Sequence, residues 1–294
     1  MVASAGDPGQ VAFARSSMKP LQATVSLSLM GDGPLSDEEV AVACASHNGE
    51  EVHVRTVRSL LARADLEEDV LRTPSSLPLD VDAARAVPGP APVFHNCSGK
   101  HAAMLVATAR RGFELESYRD RDHPLQRVVL AAVAAAAGRQ PEAVGVDGCG
   151  VPVHALPLAS MATLYARLGR AERLAELEPF ARRATSAMTA HPYLVAGRDR
   201  ICTALMEAVP GLIVKAGAEG LICASVLDRG LGVAVKISDG SARAADPALV
   251  HALSLLEVLD GRLLVDLERF GRPPVLGGGR PVGILETGFE LTRP

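Results

Sequence analysis

Helical and strand patterns occupy different parts of this chain. Residues 36–205 favour helix by composition, in segments separated by Pro- and Gly-bearing turns, whereas short β-type runs joined by Gly-containing turns follow from about residue 210. Because helices and strands do not alternate, the pattern predicts an α+β fold in a single domain spanning 1–294. The predicted helices of the middle are 55–64, 101–111, 125–137, 158–168 and 181–190, and the predicted late strands are 212–215, 221–227 and 231–237.

The N-terminal part predicts a strand at 11–14 that belongs to the same sheet as the segment of about 210–290. Ser16 follows as a predicted helix N-cap, and Pro20 is tolerated in the first helical turn because the N–H that proline lacks would be unpaired there.

Capping signals predict the bounds of two further helices. The Ser36–Glu39 capping box predicts a helix that ends near 48–49. A last helix is predicted over 247–259, with Asp246 as its cap and Gly261 beyond its end.

Composition excludes several classes of protein. The 30 basic and 34 acidic residues give a net charge of −4, so no basic footprint for nucleic acid is present. The most apolar run, 128–137, is far shorter than the roughly 18 residues of a membrane span. No basic residue precedes an apolar run within 1–14, and the five cysteines are sparse and odd in number. We therefore expect a cytoplasmic protein with reduced thiols, without a membrane or nucleic-acid partner.

Lysine is rare and therefore informative here. Only four of the 30 basic residues are lysines, and the amine of lysine, unlike the guanidinium of arginine, loses its proton at accessible pH. Three of the four lie in short motifs: Ser-x-x-Lys at 16–19, Cys-x-x-Lys at 97–100 and Lys-x-Gly at 215–217.

Ser-x-x-Lys, Ser-x-Asn at 46–48 and Lys-x-Gly occur in the order found in penicillin-recognising serine acyl enzymes. Each motif is common alone, and a capping serine with a surface lysine is the plain alternative. Together they predict that Ser16 attacks a carbonyl with Lys19 as base, and that Ser46 with Lys215 passes a proton to the leaving group. By the same analogy, the N–H groups of Ser16 and Ala218 would form an oxyanion hole.

A second constellation joins 96–101 with 146–150. Cys97 stands three positions before Lys100, which is the spacing of a nucleophile and its base, but no conventional Cys/His/Asn set accompanies it. With Cys149, it indicates either a soft metal site, for which zinc is the default, or buried structural cysteines. Core packing is the interpretation for the remaining three cysteines, Cys44, Cys202 and Cys223.

These segments resemble the asparaginase family typified by the inducible, thermolabile rhizobial enzyme. The resemblance covers nearly the whole chain in family order: Arg-Ser-x-x-Lys-Pro-x-Gln at 15–22, Cys-Ala-Ser-His-Asn-Gly-Glu at 44–50, His-Asn-Cys-Ser-Gly-Lys-His at 95–101, Val-Asp-Gly-Cys-Gly-Val-Pro at 146–152, His-Pro-x-x-Val-Ala-Gly at 191–197 and Lys-Ala-Gly-Ala-Glu-Gly at 215–220.

The resemblance implies a serine β-lactamase-like fold, an antiparallel sheet flanked by helices plus a helical cluster, and hydrolysis of L-asparagine to L-aspartate and ammonia through a covalent acyl-enzyme. It implies a homodimer and two adjacent Ser–Lys pairs. It leaves open which of the two serines attacks, and Ser16 is favoured. It also implies a zinc site that tunes substrate affinity. The residues concerned are Ser16, Lys19, Ser46 and Lys215 for catalysis, Cys97, Lys100 and Cys149 for zinc, His101 and Asp147 beside the metal or the substrate, and Arg15 as a candidate partner of the substrate carboxylate.

One departure from the family concerns the N-terminus. Family members carry about 30 further residues before the Gly-Asp-Pro turn at 6–8, so a strand of the sheet is expected to be missing, which would leave an edge open to pairing. Alternatives also stay open for the activity: a glutaminase or β-lactamase-like hydrolase on the same scaffold, or a non-catalytic module that binds an amino acid or zinc.

Overall fold

The computed structural model describes residues 1–31, 33 and 35–293, in which helices surround small antiparallel sheets. The helices are α1 (Lys19–Met30), α2 (Asp37–Ala43), α3 (Glu51–Ala62), α4 (Val81–Ala86), α5 (Ser98–Arg110), α6 (Pro124–Ala137), α7 (Leu158–Gly169), α8 (Glu178–Ala190), α9 (Pro192–Val195), α10 (Ile201–Ala208), α11 (Ala242–Leu255), α12 (Gly261–Asp266) and α13 (Glu268–Gly271). The strands are β1 (Val11–Phe13), β2 (Ala143–Val146), β3 (Pro152–Pro157), β4 (Leu212–Ala216), β5 (Leu221–Val226), β6 (Leu231–Lys236), β7 (Pro274–Gly277) and β8 (Arg280–Ile284). The predicted α+β class is confirmed, and within these ranges no helix has the length and apolarity to cross a membrane.

The late strands form the predicted antiparallel meander. β4 pairs with β5 and β5 pairs with β6, so β5 is central and buried at all six positions. In the first pair Lys215 lies opposite Cys223. Because opposite residues share a face of the sheet, the Lys215 side chain is directed to the same side as a buried thiol. Among the residues that the structure describes, β7 and β8 form a separate two-stranded sheet, which is an exposed hairpin.

The N-terminal strand has a different partner from the predicted one. β1 pairs with β3, and β3 also pairs with β2, so that the order is β1-β3-β2. The strand at 11–14 therefore does not join the late strands, and two strands interrupt the predicted helical middle. β3 is buried at all six positions. Such a short apolar run shows no period of two, so its sequence does not distinguish a strand from a buried helical turn.

The ends of α2 show why one boundary was wrong. The capping box is confirmed, since the Ser36 hydroxyl accepts from Glu39 N–H and the Glu39 carboxylate accepts from Ser36 N–H. The helix nevertheless ends at Ala43 and not near 48–49. Beyond it, the N–H of Ser46 donates to the carbonyl of Val195, and this tertiary hydrogen bond replaces a helical one.

Two other helix starts are also corrected. Ser16 is not an N-cap, because it lies inside a 3-10 turn, Arg15–Met18, that leads directly into α1. Pro20 does lie in the first turn of α1. The last long helix begins at Ala242 after Ser241, so Asp246 and Pro247 are inside α11, which ends at Leu255. The residues at 242–245 are good helix formers, and they extend the helix ahead of the proline.

α1 lies at the centre of the core. Ten of its 12 residues are buried, and α2, α5, α6 and α8 pack around it. The hydroxyls of Thr24 and Ser26 donate to carbonyls four residues back, at 2.8 and 3.0 Å, so these buried polar groups are satisfied. Because α1 begins at Lys19, this packing places a lysine side chain in the interior.

Gly99 allows α5 to begin against the end of α2. A Cβ added at Gly99 would lie 2.1 Å from the carbonyl oxygen of Val42, which is backbone and cannot rotate away. The first turn of α5, with Cys97 and Lys100 at its edges, therefore depends on a residue without a side chain at this position.

We expect Gly99→Ala to lower the free energy of unfolding by about 1–3 kcal/mol, because the added methyl group forces the two helices apart. Urea unfolding measures this change. Gly89→Ala is the matched control, because nothing lies within 4 Å of its added Cβ. Equal stability of both variants would contradict the close contact.

Candidate active site

Lys19 donates hydrogen bonds in the interior to the segment that follows α2. The residue is fully buried, and its Nζ lies 2.6 Å from the carbonyl oxygen of Ala45 and 2.8 Å from Ser46 Oγ. A third, longer contact of 3.3 Å reaches the carbonyl of Asn96. The amine thus lies between the end of α2 and the segment that precedes α5.

Lys215 reaches the same hydroxyl from β4. It is 1% exposed, and its Nζ lies 2.7 Å from Ser46 Oγ and 2.8 Å from the carbonyl of Ala216. The Ser46 hydroxyl therefore lies between two buried amines. It can donate its own proton to one of them only if that amine is neutral.

Burial favours such a neutral amine. Burial, and after it the nearby charge of Lys19, lower the pKa of Lys215 to about 7. Burial also lowers the pKa of Lys19. Two ammonium groups that share one buried hydroxyl repel each other, so the arrangement favours loss of one proton near neutral pH. This is the state in which lysine can act as a base.

Ser16 is near these groups in sequence but is not hydrogen-bonded to them. Its side chain is half-buried in the Arg15–Met18 turn, and within the described residues its Oγ has no hydrogen-bond partner. The turn itself is fixed, since Tyr165 donates to the carbonyl of Ser17 at 2.6 Å. Of the four predicted catalytic residues, the structure therefore joins Lys19, Ser46 and Lys215 directly, and leaves the Ser16 hydroxyl more accessible than Ser46, which is 5% exposed.

The segment at 191–197, which contains α9, positions the serine from the other side. The N–H groups of Ser46 and Asn48 donate to the carbonyls of Val195 and Ala196, both at 2.9 Å. Gly197 has a φ of 109°, and a Cβ there would lie 2.7 Å from Asn48 Nδ2. This glycine therefore permits the close approach, and the segment at 191–197 becomes part of the site's support.

His47 connects the segment that follows α2 to α5, a role that the sequence did not predict. Its Nδ1 accepts from Gly49 N–H at 3.1 Å, so Nε2 carries the proton that it donates to Ser98 Oγ at 2.9 Å. Ser98 in turn donates to the carbonyl of Val93. Burial lowers the pKa of His47 well below its ordinary value, which keeps this ring neutral. The available sequence signal was the position of His47 between Ser46 and Asn48 in the Ser-x-Asn motif.

Cys97, Lys100 and Cys149 come together as predicted. All three are buried, and Lys100 Nζ lies 3.0 Å from Cys149 Sγ. A hydrogen bond from Cys149, with the charges of the nearby lysines, lowers the pKa of Cys97, so one of the paired sulfurs is suited to carry a negative charge. Asp147 Oδ2 lies 3.7 Å from Cys149 Sγ.

This cluster fits a thiophilic metal in the chemistry of its donors, two sulfurs and one amine. Over residues 1–31, 33 and 35–293, no group of three or more His, Cys, Asp or Glu side chains is placed to hold a metal. The third ligand would therefore be the lysine. Because the thiols favour a protonated Lys100, metal binding there would have to expel that proton.

The other three predicted residues divide into two places. Arg15 Nε donates to Asp147 Oδ1 at 2.7 Å, and Arg15 Nη1 lies 2.7 Å from Glu219 Oε1. His101, in contrast, is fully buried, and its Nδ1 contacts the hydroxyl of Tyr118 at 2.6 Å. Glu219 was not predicted from sequence, although it lies in the quoted segment at 215–220.

A cluster of buried amines, hydroxyls and thiols with shifted pKa values is typical of the active site of an enzyme. A family model described as L-asparaginase II matches residues 1–287, and the chain belongs to that family. Members of the family are amidohydrolases that act on L-asparagine, so the chain is an enzyme. A search of the curated proteins found no match.

The lowered pKa of Lys215 predicts a specific pH dependence of stability. Its pKa is about 7 in the folded protein and about 10.5 ordinarily, so the unfolded chain binds more protons between these values. Lys215 should therefore make the free energy of unfolding rise with pH from about 7 to 10, by up to about 1.4 kcal/mol per pH unit, and the rise should be smaller by this contribution in Lys215→Met. Urea unfolding over this range measures the difference.

Lys236→Met is the control, because this half-buried lysine lies on β6 of the same sheet. Its curve should run parallel to that of the wild type. If the Lys215→Met curve also ran parallel to the wild type, the amine would be charged in the native protein and the base assignment would be wrong.

Proposed function

We propose that the chain hydrolyses L-asparagine by covalent catalysis, with Ser16 as the nucleophile. The observation that carries this proposal is the Ser46 hydroxyl between the two buried amines of Lys19 and Lys215, at 2.8 and 2.7 Å. This arrangement is suited to moving protons, and the more accessible Ser16 lies one turn before Lys19.

In the first step, Ser16 Oγ attacks the side-chain amide carbon of asparagine. Neutral Lys19 takes the serine proton, the new C–O bond forms and the carbonyl oxygen becomes an oxyanion. The C–N bond then breaks, and the nitrogen receives a proton through Ser46 and Lys215 and leaves as ammonia. Water attacks the resulting ester in the same manner, which releases aspartate and restores Ser16.

The N–H groups of Ser16 and Ala218 are the proposed oxyanion donors. Within the described residues neither N–H has a backbone partner. Gly217 lies against residue 14, since a Cβ on it would be 3.3 Å from the carbonyl of Ala14, so the two segments that carry these N–H groups are adjacent. Free donors on adjacent segments are what an oxyanion hole requires.

The finer fold assignment is part of the same proposal. We assign the serine β-lactamase-like fold, because a Ser-x-x-Lys segment that opens a buried helix faces a Lys-x-Gly strand in a late antiparallel sheet. We also retain a homodimer in the cytoplasm as the working assembly and location, which analytical ultracentrifugation and cell fractionation test.

Zinc is the proposed metal for Cys97, Lys100 and Cys149. When bound, it would supply a fixed positive charge beside the two serines and so raise the affinity for the carboxylate of the substrate. The support for it is the thiol–amine contact of 3.0 Å in a buried cluster. Asp147, held by Arg15, would orient the loop that carries Cys149.

Ammonia release from L-asparagine tests the reaction, with L-glutamine in parallel. We expect Ser16→Ala, Ser46→Ala, Lys19→Met and Lys215→Met each to lower kcat/KM for asparagine about a thousandfold or more. The first variant lacks the nucleophile, and the other three break the proton path. Ser28→Ala, a half-buried serine on α1, should leave the rate unchanged.

Mass spectrometry of acid-quenched reactions distinguishes the two serines. We expect an aspartyl adduct on Ser16 in the wild type and no adduct in Ser16→Ala. An adduct on Ser46 that persists in Ser16→Ala would reverse the two roles. A wild type that releases more ammonia from glutamine than from asparagine would make the chain a glutaminase.

Metal analysis of protein purified without added zinc should find about one zinc per chain, and Cys149→Ala should lose it. Occupancy should fall as pH falls, because all three ligands must give up protons. Cys223→Ala, a buried cysteine on β5, is the matched control and should keep the metal. Metal-free wild type with unchanged affinity for asparagine would remove zinc from the proposal.

A further inference from the structure

Arg15 holds two carboxylates directly beside Ser16. Its Nε donates to Asp147 Oδ1, and its Nη1 pairs with Glu219 Oε1, both at 2.7 Å. Asp147 belongs to the loop that carries Cys149, and Glu219 belongs to the turn between β4 and β5. One guanidinium therefore connects the serine, thiol and lysine segments of the site.

The two carboxylates differ in accessibility. The Asp147 side chain is 9% exposed and also accepts from Gly148 N–H at 2.9 Å, so it is fixed in place. The Glu219 side chain is 59% exposed, and within the described residues Arg15 is its polar contact. Glu219 is therefore the carboxylate that a ligand arriving from solvent can reach.

The backbone holds this pair in an unfavourable conformation. Arg15 has a φ of 47° and Glu219 a φ of 63°, both in the left-handed region that residues other than glycine rarely adopt. Each such residue costs about 1 kcal/mol or more and persists only where its surroundings impose it, which is common at binding sites. The fold thus imposes the opposed arrangement of these two side chains.

A free amino acid carries an ammonium and a carboxylate on one carbon atom. A site that recognises it must present one anion and one cation side by side, within reach of the nucleophile. Arg15, adjacent to Ser16, is the predicted partner of the carboxylate. Glu219 is an anion in contact with that cation, and its side chain is largely exposed to solvent.

We propose that Glu219 binds the α-ammonium group of asparagine and so makes the enzyme specific for free amino acids. The inference rests on the proposed function, since it needs an amide substrate at Ser16. Upon binding, the carboxylate of the substrate contacts Arg15 and its ammonium contacts Glu219. The ion pair between Arg15 and Glu219 therefore opens, and two new charge-assisted contacts replace it. An amide without an α-ammonium forms only one of them.

The test compares L-asparagine with succinamate, which has the same amide and carboxylate but no α-ammonium. Glu219→Gln keeps the size of the side chain and removes its charge. We expect kcat/KM for asparagine to fall about tenfold or more, mainly through KM, because a charged hydrogen bond is lost. The value for succinamate, or its inhibition constant if it is not hydrolysed, should change less than about twofold.

Glu116→Gln is the matched control, because Glu116 is also an exposed glutamate in an ion pair, with Arg72, and lies outside the segments that carry Arg15, Asp147 and Glu219. It should affect neither substrate. Thermal unfolding of both variants confirms folding. An equal loss for both substrates in Glu219→Gln would overturn the proposal, since the residue would then only support the loop.

Tighter binding of asparagine by Glu219→Gln would also overturn it, because Glu219 would then compete with the substrate for Arg15. If the wild type releases no ammonia at all, the proposed function fails separately. Calorimetric binding of asparagine and succinamate to both proteins then decides the role of Glu219 by the same comparison.

Discussion

The burial of two lysine amines around one hydroxyl is the constraint on which the rest of this structure depends. An ammonium group in the interior is costly, and two of them beside Ser46 are more costly still, so the protein favours a neutral amine. That neutral amine is also what proton transfer from a serine needs. The same desolvation that disfavours the charged amines therefore supplies the base that the proposed mechanism needs, and the burial of α1 holds Lys19 in the interior.

The segments that carry the site residues are held in place mainly by backbone contacts. The segment after α2 donates backbone hydrogen bonds to the segment at 191–197, and His47 connects it to the first turn of α5. Gly99 and Gly197 permit approaches that a side chain would prevent. As a result, the serine that joins the two amines and the cysteine–lysine cluster are positioned by one connected set of contacts. A shift in α2 would displace both.

The charges at the surface side of the site have a different character. Arg15, Asp147 and Glu219 are ion-paired and more accessible than the buried amines, so they can exchange partners with a zwitterionic substrate at small cost. In the proposed mechanism, the interior supplies proton transfer, whereas the more exposed ion pairs supply substrate recognition. This division suits an enzyme whose substrate is small and carries both charges near the amide that is cleaved.

Local sequence determined the α+β class, the capping box of α2 and the late meander. It also determined the motifs that mark Ser16, Lys19, Ser46 and Lys215. The reason is that caps, turns and short spacings depend on neighbouring residues. Tertiary structure decided the partner of β1, the strand β3, the end of α2 and the true start of α11, since each depends on hydrogen bonds or packing with distant segments. It also decided that both lysines contact Ser46, and that Glu219 meets Arg15. Residues 204 positions apart become ion-pair partners only when the turn after β4 packs against the segment before α1, and no local pattern encodes that distance.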